Sequence, residues 1–375
     1  MQSNYSKKPR KNRRNRNAKS LFIKAFAIAF VVFSTLVAGV VSVNTFVITP
    51  PEIPSINPGL IAASPEDTEY ERPASYDPEY TEEDWLIGGG LIAPAGFTNE
   101  DRKELFYTFL IMGLDEGINV DTIMVASYDG VNAKANIISI PRDSLVNVSR
   151  RVRKINVAFP AGYLRDGGRD GGIAQMQREI MSIIGFVPDF YVLIDLEAFV
   201  KMVDAVGGIE IEVPFHMRYD DPFQDLFIDI PEGLQHMDGE TALQFARFRR
   251  GNTGFRSITD YQRIENQQKV ISAMLSNLIQ PASILRIPEF ISIFSEHVHT
   301  DISLSDMMWF ASQLTIVSGL ESLSTHTIPT DGTSGAPRWY EFLHGPGIVE
   351  MVNQTINPFT IDIELSDLDI IREYN

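Results

Sequence analysis

No cysteine occurs in the 375 residues, which excludes disulfides, thiolate zinc sites and a cysteine nucleophile. Histidine is scarce, six in all. Only His297 and His299 stand close together, at strand spacing and without a third ligand nearby, so a histidine-built metal centre has little to draw on. Neither a Gly-x-Ser-x-Gly elbow nor a His-Glu-x-x-His pair is present, which disfavours a serine hydrolase or a zinc peptidase. Basic residues are also short once their placement is considered. Nine of the 32 Lys and Arg lie in residues 1–24, where no acid occurs, and the rest of the chain sets 23 bases against 49 acids. A body so acidic repels nucleic acid. What the chain does have is apolar material, 44% of its residues, enough for a substantial core.

That apolar content is unevenly spread. From Ala25 to Ile48 run 24 residues without a charge, long enough to cross a bilayer as one helix. The basic stretch ahead of it places the N-terminus in the cytoplasm and the remainder outside. A cleaved signal peptide is the rival reading. The run exceeds the usual signal core and no small-x-small site closes it, which favours a retained membrane anchor. Residues 49–104 are proline-rich and carry thirteen acids against three bases. They read as an extended, acidic extracytoplasmic linker with a docking turn near Trp85 and the Gly88–Gly90 triplet. That triplet lacks the Lys-Ser/Thr of a phosphate loop.

Residues 105–375 alternate between strand-like and helix-like patterns. Phe109–Asp115, Asp121–Tyr128 and Ala135–Ser144 are short Ile/Val/Met-rich runs separated by Gly, Asp and Asn, and predict three strands buried on both faces. Their polar residues fall at the ends, so Asp115, Asp121, Arg142 and Asp143 can meet along one sheet edge. That edge is the usual ligand site of an open α/β sheet, although an Asp after a strand is also a common turn former. Beyond the basic segment Arg151–Asn156, the repeat Arg165-Asp-Gly-Gly and Arg169-Asp-Gly-Gly reads as a duplicated turn in a glycine-rich loop. Ile173, Met176, Ile180, Met181 and Ile184 then recur at helical spacing with Gly185 as a stop, which on periodicity alone is a core-facing stripe.

Further along, a buried strand is expected at Phe190–Asp195, a helix at Leu196–Val206 and an alternating strand at Ile209–Val213. Gly233–Gly239 reads as the opening of a helix that passes through Phe245. A long amphipathic helix starts at Asp260 and ends near Ile279. Helices around Asp306–Val317 and Gly347–Val352 and a strand at Thr325–Ile328 complete the pattern. Together these predict a layered α/β/α domain with a central mixed sheet, preceded by one transmembrane helix.

One charge cluster stands out against the acidic body. Arg247, Arg249, Arg250, Arg256 and Arg263 fall within seventeen positions with a single acid, Asp260, among them. Charge runs often mark only a solvated face. Guanidinium forks match phosphate oxygens two at a time, however, so a multiply charged phosphate ester is the natural guest.

The order Gly113-x-Asp115, Asp121-Thr-Ile-Met, Ser139-Ile-Pro-Arg-Asp-Ser144 resembles the start of the LytR-CpsA-Psr family, whose members move glycopolymers from a polyprenyl pyrophosphate carrier onto the cell wall. The similarity continues through Lys154-Ile-Asn156, Val187–Asp195, Val203–Val213, Leu234–Gln244 and Ala246–Arg249, and more loosely to Pro358. A basic tail, single anchor and acidic linker are also typical of a member. The resemblance implies a membrane-anchored phosphotransferase that joins a polyprenyl-pyrophosphate-linked glycan to peptidoglycan. Asp115 and Asp121 would bind magnesium, and Arg142, Lys154, Arg247, Arg249, Arg263 and Gln267 would hold the carrier's pyrophosphate. The stripe Ile173, Met176, Ile180, Met181 and Ile184 would line a tunnel for the lipid tail. Asp143 is the candidate base, its other role being to orient Arg142. Members often carry Arg two residues before the Asp-Thr-Ile motif and Arg before the glutamine pair, where this chain has Asn119 and Asn266. A carrier pyrophosphate hydrolase and a non-catalytic carrier-binding regulator of the envelope remain as alternatives.

Overall fold

The computed structural model describes residues 49–53, 99–221, 226–278, 287–314, 322–334 and 339–371. The basic tail, the apolar run 25–48, the turn near Trp85 and the glycine triplet lie outside them. Among the described residues no helix is long and apolar enough to cross a membrane. The chain divides into Met1–Thr49 and Pro50–Asn375, and every described strand and helix belongs to the second unit.

Three antiparallel strands open the fold: β1 (Phe106–Leu114), β2 (Val120–Asp129) and β3 (Lys134–Ser139). Two helices follow, α1 (Ala158–Arg165) and α2 (Arg169–Ile184), then β4 (Phe190–Ile194), α3 (Leu196–Ala205) and β5 (Ile209–Val213). A hairpin of β6 (Met217–Asp221) and β7 (Leu226–Ile230) precedes β8 (Gly233–Met237), α4 (Gly239–Arg247) and α5 (Asp260–Leu278). The chain closes with α6 (Ile287–His297), β9 (His299–Thr300), α7 (Leu304–Leu314), β10 (Leu323–Thr327), β11 (Thr330–Ser334), β12 (Tyr340–Leu343) and α8 (Gly345–Thr355).

The central sheet has the order β10-β3-β2-β1-β4-β9 and is mixed, with β4 parallel to β1 and β10 parallel to β3. Both faces of β1 carry apolar side chains, as a sheet covered on both sides requires. Leu110 and Met112 are fully buried in a core with Val125 and Ile138 that also takes in α2 and, through Ile348 and Val352, α8. On the opposite face Tyr107, Phe109 and Phe190 meet Phe310 of α7 at ring-centroid distances of 5.1 to 6.1 Å. Phe109 and Ile111 on this face remain half-buried.

Ile173, Met176, Ile180, Met181 and Ile184 sit in the first of these layers, each at most 4% exposed. Four of them belong to the cluster that packs on the sheet, and each such side chain contributes about 1.5–3 kcal/mol of burial. In this structure the stripe therefore packs as the core-facing layer that its spacing indicates.

Three further differences have plain physical causes. Gly233–Met237 pairs with β5 as a strand, and the helix starts only where the Asp238 carboxylate accepts from the Thr241 N–H as an N-cap. The two Arg-Asp-Gly-Gly segments are not one duplicated loop. Gly167 and Gly168 make a turn at positive φ, whereas Gly171 and Gly172 lie inside α2, where a Cβ would come within 2.6 Å of the Gly162 carbonyl oxygen and 2.8 Å of the Phe159 ring. Those glycines let α1 and α2 touch. The folded domain also begins before residue 105: Arg102 is buried against Asp189 at 2.7 Å, and Asp189 accepts from the Thr108 N–H and hydroxyl as well. The Tyr107 hydroxyl donates to the Pro51 carbonyl at 3.3 Å, so the linker is docked at both of its described ends.

Candidate active site

The site lies where β1 and β3 end and β2 begins. Gly113 opposes Thr122 so closely that a Cβ there would lie 3.0 Å from the threonine Cβ, and the register slips between Gly113 and Leu114. This bulge turns the chain out of the sheet. Asp115 then forms a compact loop: its Oδ1 accepts from the Gly117 and Asn119 N–H groups at 2.8 and 3.1 Å, and its Oδ2 from the Asn119 side chain at 3.0 Å. Burial, with Asp121 adding to it, pushes the Asp115 carboxyl above its ordinary value despite these donors.

Asp121 is the meeting point of two arginines. Arg142 donates from Nη1 to its Oδ1 at 2.7 Å, and Nη1 of Arg263 lies 3.6 Å from its Oδ2. Asp260, the first residue of α5, faces the same pair. Its Oδ1 is 2.8 Å from Nη2 of Arg263, 3.9 Å from Nε of Arg142 and 4.0 Å from Nε of Arg249. Three guanidinium groups thus share two carboxylates, leaving a positive balance. Burial lowers the pKa of Arg263, and Arg142 and Arg249 push it the same way. Burial also works against the charge of Arg142, but Asp121, Asp260 and Asp143 outweigh it and raise its pKa. The Nε donors of Arg142 and Arg263 are both buried without a hydrogen-bond partner among the described residues, a state that costs about 1–3 kcal/mol per group. An acceptor-rich anion supplies what they lack.

The remaining expected residues fall around this centre. Lys154 pairs with Asp143 at 2.9 Å, so Asp143 is held by the lysine, while Asp121 orients Arg142. Arg247 reaches Glu116 in the Asp115 loop at 2.7 Å. Gln267 is half-buried one turn beyond Arg263, on the same face of α5. Its neighbour Gln268 fastens α5 to the sheet through Ser139 and the His326 carbonyl at 2.9 and 2.8 Å. Arg256 turns away to lie over the Phe215 ring, and Arg250 is exposed. Nothing in the sequence pattern marks Asp260 and Glu116 as partners of these arginines.

Among the described residues no group of three or more His, Asp or Glu is placed to hold a metal. Asp115 and Asp121 are the two carboxylates of this sheet edge, near enough that the charge of Asp121 adds to the raised pKa of Asp115.

Glu341 of β12 closes the site from the side. It is 6% exposed and accepts from the Tyr261 hydroxyl at 3.3 Å. Burial raises its pKa, and Asp143 and Asp260 raise it further. Because folding raises the value, the folded state holds this proton more tightly than the unfolded chain. Stability therefore falls as the pH climbs from the ordinary 4.5 through the folded value. Glu341→Gln is expected to gain on the wild type in melting temperature as the pH rises above the ordinary 4.5 and to converge with it at lower pH, as thermal scans on both sides of that value would read.

The model of the LytR_cpsA_psr family matches residues 94–357. The chain belongs to that family. Among curated relatives it is 25% identical over 266 residues to the polyisoprenyl-teichoic acid--peptidoglycan teichoic acid transferase TagV of Bacillus subtilis, covering 68% of this chain and 65% of TagV. It is 31% identical over 248 residues to the "probable cell wall biosynthesis protein LcpB" of Corynebacterium glutamicum, covering 65% of this chain and 54% of LcpB. The chain thus spans somewhat under two thirds of these relatives. The crystal structure of B. subtilis TagV superposes with a TM-score of 0.54 at 23% identity over 71% of this chain and 98% of that one. A structure described as TagT bound to LIIa-WTA superposes at 0.54, with 18% identity over 71% and 94%. These similarities show that the mixed α/β fold is shared.

Proposed function

We propose that this protein is a membrane-anchored phosphotransferase that moves a glycopolymer from a polyprenyl pyrophosphate carrier to peptidoglycan outside the cell. The observation that carries the reading is the convergence of Arg142, Arg249 and Arg263 on Asp121 and Asp260, with two buried guanidinium donors left unpaired. Family membership and the similarity to TagV support a cell-wall glycopolymer as the class of substrate. Residues 25–48 are the proposed single-pass anchor, with residues 1–24 cytoplasmic.

In this reading the carrier's pyrophosphate lies across the arginines, displacing part of the Asp121 and Asp260 contacts and satisfying the orphaned donors. Lys154, Arg247 and Gln267 hold its periphery. An acceptor hydroxyl oxygen attacks the sugar-bearing phosphorus in line. A new P–O bond forms, the bond to the bridging oxygen breaks, and polyprenyl monophosphate departs with that oxygen while the hydroxyl proton passes to Asp143. The arginines stabilise the charge that builds on the leaving phosphate. Magnesium, held by Asp115 and Asp121, would supply further neutralisation of that charge. The half-buried side chains of Phe109 and Ile111, beside Phe310 on the α7 face, are a proposed path for the lipid tail.

Geometry decides the test. A guanidinium fork cannot be replaced by an ammonium point charge without losing paired hydrogen bonds, so Arg142→Lys and Arg263→Lys should each weaken binding of a short-chain polyprenyl pyrophosphate about tenfold or more. Arg165→Lys is the control, since Arg165 is tied to Asp166 and Gln175 away from the site. Titration of the full chain in detergent with magnesium reads the result, and equal affinities in all three variants would remove the site from this function.

A further inference from the structure

A second concavity adjoins the arginine site on the far side of the Asp115 loop. It encloses about 370 Å³ between that loop, α1, the start of α2 and the start of α3. Its apolar part is made by Leu114, Ile118 and the rings of Phe159 and Tyr163, and its rim by Asp115, Glu116, Arg169 and Glu197. The volume is at the low end for ligand pockets, which run from about 300 to 1,000 Å³, and suits one ring rather than an extended strand.

The polar groups are mixed in a way that favours a neutral polyol over an ion. Asp115, Glu116 and Glu197 are all engaged, with the Asp115 loop N–H groups, Arg247 and Lys201 respectively, yet each retains acceptor capacity. Arg169 and the Tyr163 hydroxyl have no hydrogen-bond or ion-pair partner among the described residues. Arg169 also occupies the first turn of the 16-residue helix α2, where the helix dipole repels a cation. Arg169 is exposed on the rim, so its guanidinium donors are open to whatever enters the cavity. An apolar, aromatic wall beside both donors and acceptors is the chemistry that suits a pyranose.

We infer that this pocket binds one sugar ring of the acceptor glycan and presents its hydroxyl across the Asp115 loop to the phosphorus held by the arginines. The inference rests on the transferase reading above. Glu116 couples the two sites, since it lines the pocket and also pairs with Arg247.

The experiment uses the full chain with a polyprenyl-pyrophosphate-linked glycan as donor and an uncrosslinked disaccharide-peptide fragment of peptidoglycan as acceptor. Arg169→Gln and Tyr163→Phe, each of which keeps the surrounding packing, should raise the acceptor KM about tenfold while carrier affinity changes less than about twofold. An unchanged acceptor KM overturns the assignment, and so does a parallel loss of carrier affinity, which would make this the donor's own sugar site. Saturation-transfer NMR of the acceptor fragment on the carrier-free protein separates the two readings. Saturable binding lost in both variants, but without any transfer by the wild type, would leave the pocket standing and sink the transferase. Absence of saturable binding to the wild type overturns the pocket whatever the transfer assay shows.

Discussion

Replacing Glu179 by alanine is expected to lower the stability of the domain by about 3–5 kcal/mol, the cost of leaving a buried guanidinium without its partner. Arg150 and Glu179 are 3% and 0% exposed. Arg150 donates to Glu179 from both terminal nitrogens and to the Val152 and Lys154 carbonyls at 2.8 Å, and Glu179 also accepts from Gln175 at 2.7 Å. Every group in this network depends on the others. A domain of marginal stability, about 5–15 kcal/mol, would lose a large share of it. Urea unfolding of the purified protein measures the change, and Glu179→Leu combined with Arg150→Met should recover part of the loss because no charge is then stranded. An unfolding midpoint within error of the wild type in Glu179→Ala would mean that the pair contributes nothing net. The network matters beyond stability, since the Lys154 carbonyl that it grips belongs to the residue whose ammonium pairs with Asp143.

On the proposed transferase reading, Asp121→Asn should reduce glycopolymer transfer about a hundredfold or more, because Asp121 orients Arg142 and is a proposed magnesium ligand. Asp121 is bonded to Arg142 and also lies within 3.6 Å of Arg263. Its neutral replacement keeps an acceptor oxygen but not the charge that sets both forks. Its side chain is 33% exposed, and Asp260 remains beside both arginines when the Asp121 charge is removed. Transfer measured against magnesium concentration, with thermal melting alongside, separates the roles. A magnesium response identical to that of the wild type would take the metal away from Asp121, and a collapsed melting transition would return the residue to a purely structural part.

What the chain shows by inspection is what local chemistry fixes. β1 to β3 announce themselves as apolar runs with polar ends, and Gly185 ends α2 in the left-handed conformation that a stop requires. Arg142 and Asp121 can be placed on one edge because both lie at strand ends. The role of Asp260 cannot, because nothing in the spacing says that the first residue of a helix faces an arginine 118 positions earlier. Among Arg150, Arg151, Arg153 and Lys154, all equally basic on paper, only the fold selects Arg150 for burial. The strand at Gly233–Met237 reads as a helix opening because its pairing partner, β5, lies some way upstream, whereas the cap at Asp238 is local. Gly171 and Gly172 look like loop formers until a second helix is laid against them.

The docking of Pro51 has a mechanical consequence. Pro51 meets Tyr107 near the start of β1, while Asp115 follows the last residue of the same strand. The strand between these points is about 26 Å of nearly inextensible chain. Because β1 is hydrogen-bonded to β2 on one side and to β4 on the other, it cannot pivot alone. The clamp of Arg102, Asp189 and Tyr107 at its near end is joined through one stiff sheet to the arginines at its far end.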